Sequence, residues 1–131
     1  MIYLASNSPR RRELLQQIHV HFEPLLFRGP GRHDHDICER VLPDEDAVTY
    51  VQRVAHAKAL GGLQRMRWRG MTPRLILAAD TTLAVDDEIV GKPDDGEHAV
   101  SILKRLSGRT HKVLTAVVLT DGERFESRLS V

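Results

Sequence analysis

The chain has 131 residues, of which 41% are hydrophobic and 28% charged. That is enough apolar material to fill one core, so a disordered chain is excluded, and the length suits one domain rather than two. Nineteen basic and 18 acidic residues leave a net charge of +1, so the whole chain is no attractor of polyanions and any phosphate binding must be local.

Residues 2–5 are apolar and predict a short buried strand, too short for a signal peptide before the charged residues that follow. Ser8-Pro9 predicts an N-cap with proline at the first helical position, and Leu14, Leu15 and Ile18 an apolar stripe on that helix. Val20 and Phe22 predict a second strand ending at Pro24, and residues 28–36 a loop. Pro43-Asp44 opens a second predicted helix, with Val48, Val51, Val54 and Ala55 apolar, that Gly61-Gly62 stops near Leu60. Residues 64–73 read as an arginine-rich connector, and residues 75–79 as a short strand. Residues 82–85 and 88–90 flank Asp86-Asp87 as a hairpin. Ala99, Ile102, Leu103 and Leu106 share one face of a third helix that Gly108 ends. Residues 112–120 alternate Val113, Val117 and Leu119 with smaller or polar residues; Asp121-Gly122 turns the chain, and Phe125, Leu129 and Val131 return it. Strands alternating with helices predict an α/β fold. No apolar run approaches the ~20 residues of a membrane span. The lone Cys38 forms no internal disulfide and fits a reducing cytoplasm.

Five places hold candidate chemistry. Ala5-Ser6-Asn7-Ser8-Pro9-Arg10-Arg11-Arg12 joins a strand to a helix start, where free N–H groups, the helix dipole, two hydroxyls and three guanidiniums suit phosphate oxygens. The same residues also read as an N-cap followed by solvated arginines. Asp80 follows a buried run, so it is expected at a strand end, where open α/β sheets bind ligands. It can hold a divalent cation, accept a proton from water, or simply make a turn. Lys92 lies between Gly91 and Pro93, facing a phosphate or only solvent. Lys58 falls on the apolar side of its helix, where lysine is costly unless paired, although a stem that snorkels at a helix end also explains it. Glu39 has no distinctive spacing.

Three other features carry less. His33-Asp34-His35-Asp36 resembles metal ligands, but alternating neighbours on a loop seldom close a coordination sphere. Arg65, Arg67, Arg69 and Arg74 with Trp68 suggest nucleic-acid contact, which the near-zero net charge argues against. Cys38 has no evident base beside it and is not expected to be a nucleophile.

Taken together these motifs resemble the Maf family of nucleoside triphosphate pyrophosphatases. Leu4-Ala5-Ser6-Asn7-Ser8-Pro9-Arg10-Arg11-Arg12-Glu13-Leu14-Leu15 is similar to the family's N-terminal signature. Tyr50-Val51-Gln52-Arg53-Val54-Ala55 through Lys58-Ala59, then Ala78-Ala79-Asp80-Thr81, Gly91-Lys92-Pro93 and Leu106-Ser107-Gly108-Arg109-Thr110-His111-Lys112-Val113 with Thr115 follow in the family's order. The resemblance covers essentially the whole chain.

It implies a cytoplasmic α/β enzyme with a mixed twisted sheet and flanking helices around a central cleft. Such an enzyme cleaves nucleoside triphosphates to monophosphate and pyrophosphate with a divalent cation, Mg²⁺ or Mn²⁺. By motif position Asp80 is the proton acceptor and, with Glu39, a metal ligand. Ser8, Arg11, Lys58 and Lys92 line the phosphates, and Arg10 and Thr81 bear on the base. Arginine directly after Ser-Pro resembles the subgroup acting on dTTP, UTP and modified pyrimidine nucleotides. The alternative implied function is a non-catalytic nucleotide-binding or regulatory module, since the family is linked with septum formation and cell-division arrest. Family members continue past residue 131, so this is expected to be a single Maf-like domain incomplete at its C-terminus, whose exposed strand edge leaves room for a homodimer.

Overall fold

The structure is a computed structural model that describes residues 1–6, 8–25, 43, 45–85, 88–90, 96–108 and 111–131. In chain order the elements are β1 (Ile2–Leu4), α1 (Pro9–Gln17), β2 (Phe22–Pro24), α2 (Ala47–Trp68), β3 (Ile76–Val85), β4 (Glu88–Val90), α3 (Gly96–Leu106), β5 (His111–Thr120) and β6 (Phe125–Ser130). The sheet runs β2-β1-β3-β5-β6, with β4 paired to β3. β1 is parallel to both β2 and β3, whereas β3, β5 and β6 are antiparallel. The expected mixed α/β architecture is present.

Helix α2 lies across β3 and β5. It buries Val51, Ala55, Ala59, Leu63 and Met66 against Ile76, Ala78, Leu114, Ala116 and Val118. Full burial of a valine or leucine side chain contributes roughly 1.5–3 kcal/mol before entropy costs are subtracted. Along β5 the fully covered positions are Leu114, Ala116, Val118 and Thr120, while Val117 and Leu119 are half-buried and Val113 exposed. The expected apolar alternation at 113, 117 and 119 therefore lies on the opposite face from the helix. Small residues such as Ala116 mark the deeper face because α2 approaches it closely.

Helix α2 differs most from expectation. It starts at Ala47, not at Pro43-Asp44, because the Asp46 carboxylate accepts the Thr49 N–H at 2.7 Å and caps the helix. It passes through Gly61-Gly62 and ends at Trp68. A Cβ on Gly62 would lie 2.9 Å from Ala5 Cβ, 3.2 Å from Leu25 Cδ2 and 3.3 Å from Ile76 Cγ2. The glycine permits close approach of helix to sheet; it is not a stop signal. The stop comes at Gly70, with φ of 60°, where Gly70 N–H donates to Arg67 O and Met71 N–H to Met66 O as a Schellman motif. The first half of the arginine-rich stretch, residues 64–68, is thus helix, and Arg65 is buried in it.

Two further expectations shift. On α1, Leu15 is buried but Leu14 and Ile18 are 47% and 67% exposed, so the predicted stripe is a single anchor. The strand expected over 75–79 and the first hairpin arm are one continuous strand, β3, because β5 pairs with it from Ile76 to Val85. The hairpin with β4 is present. Among the described residues no helix is long and apolar enough to cross a membrane.

Candidate functional site

The site arises where β1 leaves the sheet. β1 pairs with β3 at Ile76 and Leu77 only, and Ala5 N–H donates to Leu77 O at 2.9 Å. β4 joins the same edge of β3 at Leu83–Val85. Between them residues 78–82 have no strand partner on that edge among the described residues, and α1 begins beside this gap. Asp80 and Thr81 sit within it. Asp80 is therefore mid-strand, opposite Ala116, rather than at a strand end. The strand whose carboxyl end lies here, the place where open α/β sheets bind ligands, is β1.

Side chains of a strand alternate between faces, so Asp80 turns toward α2 and Thr81 away from it. Lys58 of α2 meets Asp80, its Nζ donating to Oδ1 at 3.1 Å, with 16% and 14% of the two side chains exposed. The lysine expected to need a partner on the apolar face has one. The hydroxyl of Thr82, buried two residues on, donates to Asp80 Oδ2 at 3.4 Å. Both carboxylate oxygens are thus held.

On the other side, Ser8 caps α1 and accepts the Arg11 N–H at 3.4 Å, with Pro9 at the first position as expected. The buried Ser6 hydroxyl accepts the Ser8 N–H at 3.1 Å and Arg11 Nη1 at 3.2 Å. Arg11 Nη2 then donates to Thr81 Oγ1 at 3.5 Å. Burial lowers the pKa of the Arg11 guanidinium from its ordinary value, while the nearby Asp80 charge raises it back. Arg10 is exposed on the first turn. Glu39 and Lys92, and the 33–36 loop and Cys38, lie outside the described residues.

The structure thus brings together Ser8 and Arg11 from the start of α1, Lys58 from α2, and Asp80 and Thr81 from β3. Sequence reasoning took Ser6 only as part of the stretch 5–12, Thr115 only as a motif position and Thr82 only as part of a hairpin arm, none of them as a site residue. Thr115 Oγ1 lies 3.2 Å from Thr81 Oγ1 across the strand pair. Ser6 was open to inference, as a hydroxyl directly after a buried strand. The two threonines become significant only through strand alternation and cross-strand register.

A half-buried carboxylate beside an ammonium and a guanidinium at a helix start suits an anionic, phosphate-bearing ligand. Residues 1–131 match the family model described as Maf-like protein. The chain belongs to the Maf family. It is 53% identical to a dTTP/UTP pyrophosphatase of Aromatoleum aromaticum over 131 residues, covering 99% of this chain and 64% of that relative. It is 52% identical to one of Dechloromonas aromatica over 118 residues, covering 90% and 59%. The Maf chain described here therefore spans about three-fifths of the length of these relatives. Among solved structures it is similar to the Staphylococcus aureus Ham1 protein, with a TM-score of 0.53 and 14% identity over 98% of this chain and 66% of that one. That similarity concerns the fold alone.

Proposed function

We propose that this Maf chain carries the catalytic half of a nucleoside triphosphate pyrophosphatase, releasing pyrophosphate and a nucleoside monophosphate from dTTP and UTP. The observation that carries this is the Lys58–Asp80 pair meeting Arg11 at the gap between β1 and β4. The similarity to relatives named dTTP/UTP pyrophosphatase supports the substrate class. In this reading Asp80 takes a proton from a water whose oxygen bonds to the α-phosphorus. The bond from that phosphorus to the bridging oxygen breaks, and pyrophosphate leaves with the oxygen. Arg11 and Lys58, with Lys92, offset the charge of the triphosphate and its leaving group, the dominant need in phosphoryl transfer. Ser8 and Ser6 hold the start of α1 and the Arg11 fork in place. Arg10 and Thr81 face the base.

The donor set fits a hard divalent cation of the Mg²⁺ or Mn²⁺ kind. No group of three His, Cys, Asp or Glu side chains occurs among the described residues. Such ions need only one or two carboxylates, with water and substrate phosphates completing the shell. Asp80, with Glu39, would hold it, and when bound it supplies positive charge at the phosphate oxygens.

The test is pyrophosphate release from a panel of nucleoside triphosphates, with Asp80→Asn as the matched variant. The variant is expected to keep a cooperative thermal transition and to lose turnover by roughly 10²–10⁴-fold. Normal turnover of dTTP by Asp80→Asn, or no pyrophosphate from any nucleotide with the unaltered chain, would overturn the reading.

A further inference from the structure

We propose that Thr82 is a positioning residue for Asp80, holding carboxylate oxygen Oδ2 so that Oδ1 keeps its aim when Lys58 turns to an incoming phosphate. The inference rests on the hydrolase reading above, in which Asp80 takes the proton, and adds the group that fixes its direction.

Asp80 and Thr82 are two residues apart on β3, so both turn toward α2. Their partners across the strand pair are Ala116 and Leu114, both buried and apolar, which offer the carboxylate no side-chain donor. Among the described residues two side chains donate to it, Lys58 Nζ to Oδ1 at 3.1 Å and Thr82 Oγ1 to Oδ2 at 3.4 Å. An ionised carboxylate only accepts. The direction of the second bond is therefore fixed: Thr82 is the donor and cannot exchange roles with its partner.

The two donors differ in freedom. Lys58 reaches across from α2 on a flexible four-carbon stem, and its ammonium carries the charge that a triphosphate attracts. Each of its N–H groups that turns to phosphate is one withdrawn from Oδ1. Thr82 is neutral, buried and β-branched, with one stiff side-chain torsion, and it sits on the same strand as the carboxylate. It therefore stays on Oδ2 when a ligand arrives. The terminal torsion of an aspartate is broad and close to two-fold. Without the Thr82 bond the carboxylate turns about Cβ–Cγ, and either oxygen meets the water. With it, Oδ1 is the oxygen that Lys58 uncovers and the one that takes the proton. A misdirected base slows the chemical step without weakening substrate binding. A buried threonine that only used the nearest acceptor would contribute to folding and leave turnover per folded molecule unchanged.

The experiment measures kcat and KM for dTTP with Mg²⁺, from pyrophosphate release, for the unaltered chain, Thr82→Val and Thr82→Ser. Valine keeps the branched shape and loses the hydroxyl; serine restores the hydroxyl. Thr82→Val is expected to lower kcat about tenfold, the factor at the weak end of hydrogen bonds to charged groups, with KM unchanged. Thr82→Ser is expected to restore most of it. Thr82→Ala carries the same expectation as valine if Thr82→Val does not fold. Urea unfolding of the hydroxyl-free variant is followed in the unaltered and Asp80→Ala backgrounds. Loss of the hydroxyl is expected to lower the folding equilibrium constant about fivefold where the carboxylate is present, and to have no such effect where it is absent. The proposal is overturned if folded Thr82→Val turns over dTTP as fast as the unaltered chain, or if the loss falls on KM instead of kcat. It is equally overturned if Thr82→Ser does no better than Thr82→Val, or if the unfolding effect is the same in both backgrounds. No pyrophosphate from the unaltered chain with any nucleotide would instead sink the hydrolase reading, and the unfolding comparison then judges whether Thr82 holds Asp80.

Discussion

Adding one methyl group at Gly62 tests how α2 is seated. The new Cβ would lie 2.9 Å from Ala5 Cβ, with Leu25 and Ile76 methyl carbons at 3.2 and 3.3 Å. Ala5, Leu25 and Ile76 are each fully buried, and Ala5 Cβ is fixed to the backbone, so relief requires β1 and α2 to separate. Overpacking of this kind costs roughly 1–3 kcal/mol. Alanine in place of a mid-helix glycine returns about 1 kcal/mol. The net expectation for Gly62→Ala is a loss of about 0–2 kcal/mol, centred near 1, which at that centre is a fall in Tm of roughly 3–6 °C for a chain of this size. Gly96→Ala, at the start of α3 where a new Cβ meets nothing within 4 Å, is the control and should be neutral or slightly stabilising. Urea and thermal unfolding followed by circular dichroism give both values. The closest clash is with Ala5, so Ala5→Gly should be less harmful in the Gly62→Ala background than alone. A stabilised Gly62→Ala variant, or strictly additive effects of the two changes, would refute the close-approach argument and restore the glycine to a mere weak point of the helix.

Other outcomes follow from single contacts. The buried Thr120 hydroxyl donates to Arg124 O at 2.7 Å and accepts the Gly122 N–H at 3.0 Å. Thr120→Val leaves both backbone groups unpaired and should cost about 1–3 kcal/mol in urea unfolding. His19 holds φ at 59° where α1 ends in a Schellman motif, with His19 N–H on Gln16 O and Val20 N–H on Leu15 O. His19→Gly relieves that conformation and should raise stability by roughly 0.5–1 kcal/mol in the same assay. Asp46 and Asp121 have carboxyl pKa values held below the ordinary 3.8, chiefly by the backbone N–H groups of Thr49 and Arg124 respectively. The unfolded chain therefore takes up these protons first. Their contribution is present above about pH 4 and is lost as pH falls through the lowered folded values. Asp121→Asn should flatten the acid limb of stability against pH, and an unchanged limb would refute the assignment.

Much of the local order was legible along the chain because its causes are local. Ser8-Pro9 starts a helix wherever it stands, since a side-chain acceptor and a preset φ act over one turn. The short apolar runs became β1 and part of β3, and Asp86-Asp87 separated a true hairpin. The motifs that carry Ser8, Arg11, Lys58, Asp80 and Thr81 were recognisable because their residue types suit phosphates whatever holds them. What the tertiary structure decided was contact between distant residues. Gly61-Gly62 reads as a helix stop by propensity, yet burial against Ala5, Leu25 and Ile76 outweighs a propensity of about 1 kcal/mol per glycine. The inward face of β5 depends on where α2 lies, and period-two alternation alone does not tell the two faces apart. Lys58 and Asp80 are 22 residues apart and Thr81 and Thr115 are 34 apart. Their meetings follow from strand register, a property of the assembled sheet. The sequence by itself determined the chemistry available to this Maf chain; the fold determined which groups share a hydrogen bond, because only burial and register bring them within about 3 Å.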